Sequence, residues 1–213
     1  KVRAIGGAGI RSVSLAPETG DETLRLKLGK VTGDDDYVNA AGLLAGEGIE
    51  RMSLYLMTGL PGEDSQVFDA TVSFLERIAA AGRGMRISVH VNVMVPKPWT
   101  PMQFFAVPAE KDLRERIRIL SGAAERAGMD VQAKPLRNSV RQAQLSLGGR
   151  AAGDALIEYA GGSISWKKAF APSERETGSI HVERGIDMEP PWYGIDGPAG
   201  HELLLARYRK VTG

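Results

Sequence analysis

The chain has 213 residues, of which 43% are hydrophobic and 25% charged, a composition that excludes a disordered or fibrous protein. Its net charge of +1 gives no electrostatic argument for binding nucleic acid or an anionic membrane. Cysteine is absent, which excludes disulfides, a thiolate nucleophile and a cysteine-ligated metal cluster within this chain.

The sequence contains no apolar run of about 18 residues and no signal peptide before its first predicted strand, so we expect a cytoplasmic protein. Residues 1–9 are typical of the end of a helix with a glycine stop, and the first residue is not Met. We therefore expect the chain to be a segment of a longer protein.

Strand and helix patterns alternate along the first two thirds of the chain. Strands are predicted over 11–17, 51–58, 86–95 and 129–136, and helices over 21–28, 34–46, 65–81 and 109–127. Such alternation predicts a parallel sheet with right-handed crossovers, with the strand from Arg51 at its centre. Beyond residue 136 we predict short helices over 139–147 and 151–159, then an irregular tail until a helix over 201–209.

Three motifs lie at predicted strand ends: Ser14-Leu-Ala-Pro-Glu18-Thr-Gly20, Tyr55-Leu-Met-Thr-Gly-Leu-Pro-Gly-Glu63, and Val95-Pro-Lys-Pro-Trp-Thr-Pro101 followed by Gln103. In this order they resemble the fourth, fifth and sixth strands of radical S-adenosylmethionine (SAM) enzymes, especially the Fe-S oxidoreductases that carry a cobalamin-binding domain. The resemblance implies an α/β fold: the parallel half of a (β/α)6 partial TIM-type barrel over 1–136, with an irregular, mostly helical extension over 137–213.

The resemblance also implies cofactors. An intact enzyme of this kind holds SAM and a 4Fe-4S cluster, and cobalamin is a further candidate. The family ligates its cluster through a three-cysteine loop after the first strand, and this chain has neither that loop nor the first three strands. We therefore expect the chain alone to be inactive, with the N-terminal half of the same protein as its partner.

The residues that would meet SAM lie at or near the predicted strand ends. Their positions are Ser14, Glu18, Lys30, Tyr55, Met57, Gly59, Pro61, Asn92 and Val95, and the substrate-facing candidates are His90 and Lys97.

Each candidate also has a plainer interpretation. Glu18 suits the start of a helix, and Lys30 suits the end of one. Tyr55 and Met57 are core residues if their face is covered. Glu63 either contacts a ribose or opens the following helix, and we favour the helix. Lys97 lies in a loop held extended by its flanking prolines, where it contacts a ligand or solvent.

Polar residues on the third strand need an explanation, because a face covered by helices should be apolar. Ser88, His90 and Asn92 share one face by the period of two, so we expect that face to line the barrel interior. His90 is more typical of a hydrogen-bonded interior residue than of a metal ligand.

Two other function classes remain open. The first is a stand-alone α/β interaction module that forms a homo-oligomer through an exposed sheet edge. The second is an ordinary barrel-type phosphate binder, which the lack of a glycine-rich loop with a suitable lysine or serine disfavours.

Overall fold

The computed structural model describes residues 2–195, 197 and 199–212. The chain forms two compact units: residues 1–93 with 111–134, and residues 94–110 with 135–213. The sequence-based boundary at 136 places 94–110 with the sheet, whereas the structure groups this stretch with the C-terminal residues.

The first unit is an α/β structure built on a four-stranded parallel sheet. It contains α1 (Val2–Gly7), β1 (Ser12–Glu18), α2 (Glu22–Lys27), α3 (Asp34–Gly46), β2 (Arg51–Thr58), α4 (Ser65–Ala81), β3 (Arg86–Val93), most of α5 (Glu110–Arg126) and β4 (Asp130–Ala133). The strand order is β1-β2-β3-β4, and every described pair is parallel. The predicted central position of the Arg51 strand, between β1 and β3, is confirmed.

Helices cover one face of this sheet. The buried side chains of β2 and β3 alternate along each strand and pack in one core with residues of α3, α4 and α5: Ala41, Leu44, Met52, Leu54, Leu56, Phe74, Leu75, Ile78, Ile87, Val89, Val91, Leu120 and Ala124. A single core shared by three crossover helices means that all three lie on the same side, as sequential strand order with one crossover hand requires.

Two strands, β3 and β4, end earlier in the chain than predicted. β3 ends at Val93 instead of 95, because Met94 breaks the alternation and is itself buried. Val95 is therefore not a strand residue. β4 has only four residues, and the chain turns into a helix after Pro135, which has no N–H for a sheet ladder.

The second unit is mostly helical. It contains a 3-10 turn (Pro101–Phe104), α6 (Leu136–Leu147), α7 (Arg150–Ala160), α8 (Trp166–Thr177) and α9 (His201–Thr212). The prediction of an irregular tail was wrong over α8. Ser165 is the N-cap of that helix, and its side chain accepts from Lys168 N. The helix buries Ala169 and Phe170 against Ala152 and Ala155. The sequence pattern did not predict α8 because Pro172 and many charged residues interrupt its apolar periodicity.

Candidate functional site

The first strand ends in an ion pair between two predicted cofactor contacts. Lys30 Nζ donates to Glu18 Oε1 at 2.8 Å and to the carbonyl oxygen of Ala16 at 2.6 Å. The two side chains are partly exposed, at 36% for Lys30 and 23% for Glu18. A ligand at this strand end would therefore meet a carboxylate whose charge is already paired, and a lysine with one unused N–H.

The backbone at Glu18 is strained. Its φ of 68° lies in the left-handed region that non-glycine residues seldom adopt, and the β1–β2 register shifts between Leu15 and Glu18. Such a residue costs about 1–2 kcal/mol and persists only where the surroundings hold it. Here the Lys30 bond and the loop that follows β1 hold it, so the sheet irregularity directs the carboxylate to Lys30.

A buried arginine holds the loop after β1. Arg25 is 0% exposed, and its guanidinium donates to Thr19 O at 2.8 Å, Thr32 O at 3.2 Å and Asp34 Oδ1 at 2.8 Å. It also lies 5.0 Å from the ring centroid of Tyr37. Sequence reasoning missed Arg25, because a charged residue on a short helix is normally assigned to solvent.

Close packing against α4 explains why the first motif has a glycine at position 20. A Cβ built at this position would lie 2.5 Å from Thr71 Cα and 2.9 Å from Phe74 Cβ, closer than real Cβ atoms approach. Its N–H donates to Thr71 Oγ1 at 3.1 Å. The motif therefore packs the loop onto α4, which accounts for this glycine.

The turn after β2 is closed by Glu63. One carboxylate oxygen of this nearly buried residue accepts from Gly59 N at 2.6 Å, Thr58 Oγ1 at 2.9 Å and Arg116 Nη1 at 2.8 Å. Gly59 and Gly62 have φ values of 80° and 74°, which explains why both are glycine. Burial raises the pKa of Glu63, and the bonds from Gly59, Thr58 and Arg116 partly offset that rise.

The favoured helix-start role for Glu63 was wrong. Asp64 is the N-cap of α4, where its side chain accepts from Gln66 N and Val67 N. Because the Gly59 N–H is used by Glu63, it is not free to bind a ligand. Pro61 and Gly62, which are partly or fully exposed, are the part of this turn that remains accessible.

Seven partly or fully exposed side chains form what we call the polar face of the sheet: Ser14, Ser53, Tyr55, Met57, Ser88, His90 and Asn92. The register places Tyr55 beside His90 and Met57 beside Asn92. The Tyr55 and His90 rings stack with centroids 4.5 Å apart and planes 12° apart. The prediction that these polar residues share one face is confirmed, and the stacked pair is a feature that periodicity alone does not show.

Two predicted site residues, Val95 and Lys97, belong to the second unit. Val95 is half-buried and lies beyond the end of β3. Lys97 Nζ donates to Ser146 Oγ on α6 at 3.0 Å, and the Lys97 carbonyl accepts from Thr100 Oγ1 at 2.8 Å. Within its unit, Lys97 is thus bound to protein groups on both its side chain and its backbone.

Gln103 is the centre of a buried polar network in the second unit. Its Oε1 accepts from Trp99 N at 2.9 Å and Trp192 Nε1 at 3.0 Å, and its Nε2 donates to Tyr193 Oη at 2.9 Å. Tyr193 Oη lies 2.6 Å from His201 Nδ1, and burial raises the Tyr193 pKa. Trp99 stacks on Tyr193, with ring centroids 4.9 Å apart, so packing anchors the Trp99 loop.

A groove of about 230 Å³ runs over α6 and α8 in the same unit. Arg141 lies 4.7 Å from the ring centroid of Trp166, whose Nε1 donates to Gln144 Oε1 at 2.6 Å. Charges of both signs line the rest of the groove: Arg137, Lys167 and Glu174. This mixture selects no ligand class.

No group of three or more His, Cys, Asp or Glu side chains suited to a metal ion occurs within 2–195, 197 and 199–212. Over the same residues, no helix combines the length and apolar character needed to cross a membrane.

Comparison with known proteins finds a distant relative. The chain is 29% identical over 140 residues to an uncharacterised protein of Methanocaldococcus jannaschii, and the aligned part is 65% of this chain and 30% of that protein. This chain thus spans about 30% of its relative's length. No protein-family model matches the chain. No solved structure matches it either.

Proposed function

We propose that the chain is the C-terminal half of a radical SAM-type partial barrel, and that its polar face and strand ends contact SAM and substrate in the intact protein. One observation carries this proposal: parallel strands in sequential order, with helices on one side and polar residues on the other. A barrel wall has this arrangement, because its inner face is not covered by helices. Doubly wound sheets place helices on both faces.

This chain is compatible with a 4Fe-4S cluster only if another part of the protein supplies the ligands of the cluster. Thiolates hold 4Fe-4S clusters, and this chain contains no cysteine. No step through a cluster is therefore assigned to these residues, and we place the cluster ligands in the N-terminal half of the same protein. No described residue group points to cobalamin, which stays a candidate on resemblance alone.

The residues present fit SAM in part. The third N–H of Lys30, which donates to no described residue, and the second carboxylate oxygen of the partly exposed Glu18 suit a ligand with both an amino and a carboxylate group. Pro61 and Gly62 give an apolar, low-profile turn against which an adenosine could lie. Bound beside a reducing cluster, SAM supplies one-electron carbon chemistry. In this proposal, the chain itself binds and orients the ligand.

Asn92 provides the sharpest test of the polar face. In the full-length protein, prepared anaerobically with iron and sulfide, Asn92→Ala is expected to weaken SAM binding about tenfold, the effect of losing one ligand hydrogen bond. Isothermal titration calorimetry measures the affinity. For the 213-residue chain alone we expect weak or no binding.

The matched control is Ser12→Ala. Ser12 is exposed and is the first residue of β1, whereas Asn92 lies near the C-terminal end of β3. It should leave SAM affinity unchanged. The proposal is wrong if the full-length protein does not bind SAM, or if it binds SAM equally well with alanine at Asn92.

A second function is favoured by the edge of the sheet. Within the first unit β1 pairs only with β2 among the described strands, so its other edge has no strand partner there. An unpaired edge is a template for another strand. On this alternative the chain is an interaction module without catalysis, and light scattering should show a homo-oligomer. A monomer with an unprotected β1 would contradict it.

A further inference from the structure

The second unit contains a buried arginine whose guanidinium ends lack acceptors. Arg184 is 5% exposed, and neither Nη1 nor Nη2 has a hydrogen-bond partner among the described residues. Buried charges in folded proteins are paired, and guanidinium groups stay charged at any pH that a protein tolerates. An unsatisfied pair of donors on a buried cation therefore calls for a specific acceptor.

The burial of Arg184 is built into the backbone. Its N–H donates to Phe104 O at 3.0 Å, and three residues further along the facing segment Val107 N donates to Ile180 O at 2.8 Å. His181 Nδ1 lies 2.8 Å from the Val107 carbonyl oxygen. Residues 180–184 thus run antiparallel to 104–107 and are fixed at both ends, so the side chain is not free to leave by simple rotation of a loose loop.

The neighbouring acidic residues do not satisfy these donors. Glu183 and Asp187 are exposed, and neither bonds to Nη1 or Nη2 of Arg184. Burial lowers the Arg184 pKa, which is the direction expected for a cation without a nearby carboxylate. The residues on either side of Arg184, Glu183 and Gly185, are exposed, so this segment lies at the surface of the second unit.

We propose that Arg184 binds an oxyanion, a carboxylate or a phosphate, through Nη1 and Nη2. Two parallel N–H donors match two oxygens of one such group, the geometry in which arginine binds anions most tightly. This site lies in the second unit and does not depend on the SAM proposal. It would give the C-terminal unit a ligand of its own.

Thermal unfolding of the 213-residue chain, followed by tryptophan fluorescence, tests the site. Sodium phosphate and sodium acetate are each compared with sodium chloride at equal ionic strength. We expect one oxyanion to raise the midpoint saturably by about 5 °C, because a ligand that binds only the folded state stabilises it. Phosphate and acetate distinguish the two classes of acceptor.

Arg184→Met removes the charge while keeping a long side chain. We expect this variant to lose the oxyanion response and to be at least as stable as the wild type in chloride, because a buried unpaired charge is gone. Arg175→Met, at an exposed arginine on α8, should keep the full response. This comparison also cancels general salt effects, which act on all three proteins alike.

If Arg184→Met does not fold, Arg184→Lys serves instead, and should reduce the response because an ammonium cannot present the two-donor fork. The proposal is overturned if neither oxyanion raises the wild-type midpoint above chloride. A response that survives unchanged in the Arg184 variants would also overturn it.

Discussion

Replacing Arg25 by methionine is expected to lower the free energy of unfolding by about 4 kcal/mol, the largest effect we anticipate from one side chain. The change leaves the Thr19 and Thr32 carbonyls without their buried donor. It also removes the nearer of the two arginines that pair with Asp34, leaving Arg77 at 3.7 Å. Breaking a buried pair costs about 3–5 kcal/mol. Chemical denaturation gives the measurement.

The matched control is Arg11→Met, because Arg11 is about half exposed and its ion pair with the exposed Glu50 is long, at 3.8 Å. Exposed pairs contribute about 0–1 kcal/mol, so this variant should unfold nearly as the wild type does. Equal losses in the two variants would show that the Arg25 bonds do not hold the loop. A loosened loop should also release Lys30 from Glu18, which links this arginine to the candidate site.

Truncating Glu63 is expected to cost about 3 kcal/mol. Glu63→Ala leaves the Gly59 N–H and the Thr58 hydroxyl without an acceptor in a buried turn and leaves Arg116 unpaired. Glu63→Gln should cost only about 1 kcal/mol, because one oxygen accepts all three bonds and an amide oxygen can take its place. An equal loss for both variants would contradict this account.

The raised pKa of Glu63 predicts a pH dependence with a definite sign. Between the ordinary carboxyl pKa of 4.5 and its higher folded value, the unfolded chain is ionised while the folded chain keeps its proton. Stability falls with rising pH wherever the folded state binds more protons. The stability of the wild type relative to Glu63→Gln should therefore decrease as pH rises from about 4.5, and a constant difference would exclude the raised pKa.

Much of the candidate site was predictable from local pattern. The period of two predicted that Tyr55 and Met57 share one face of β2 and that His90 and Asn92 share one face of β3, and the structure agrees. That these are the same face of the sheet follows only from the register. The turn after β2 was predicted from Gly59, Pro61 and Gly62, and both glycines have the left-handed backbone that favours glycine. The ion pair of Glu63 was not predictable in the same way, since its partner Arg116 is 53 residues away in sequence.

Other features lay beyond sequence reasoning for the same reason. Glu18 and Lys30 were each assigned to a ligand, yet the bend at the end of β1 pairs them with each other. Val95 was predicted to end its strand because the alternation of valines continues to it, but the buried Met94 ends the strand earlier. In α8 the burial of Ala169 and Phe170 against α7 outweighs the charges and the proline that obscured the helix.

Local sequence pattern accounts for the α/β class, the alternation of strands and helices, and the polar character of one sheet face. These depend on side-chain periodicity, which is a property of neighbouring residues. Which charges are neutralised depends instead on the folded chain: Arg25 and Glu63 are paired within the first unit, and Nη1 and Nη2 of Arg184 have no acceptor among the described residues of the second. A charge is satisfied by contacts between distant parts of the chain, and those contacts exist only once the chain is folded.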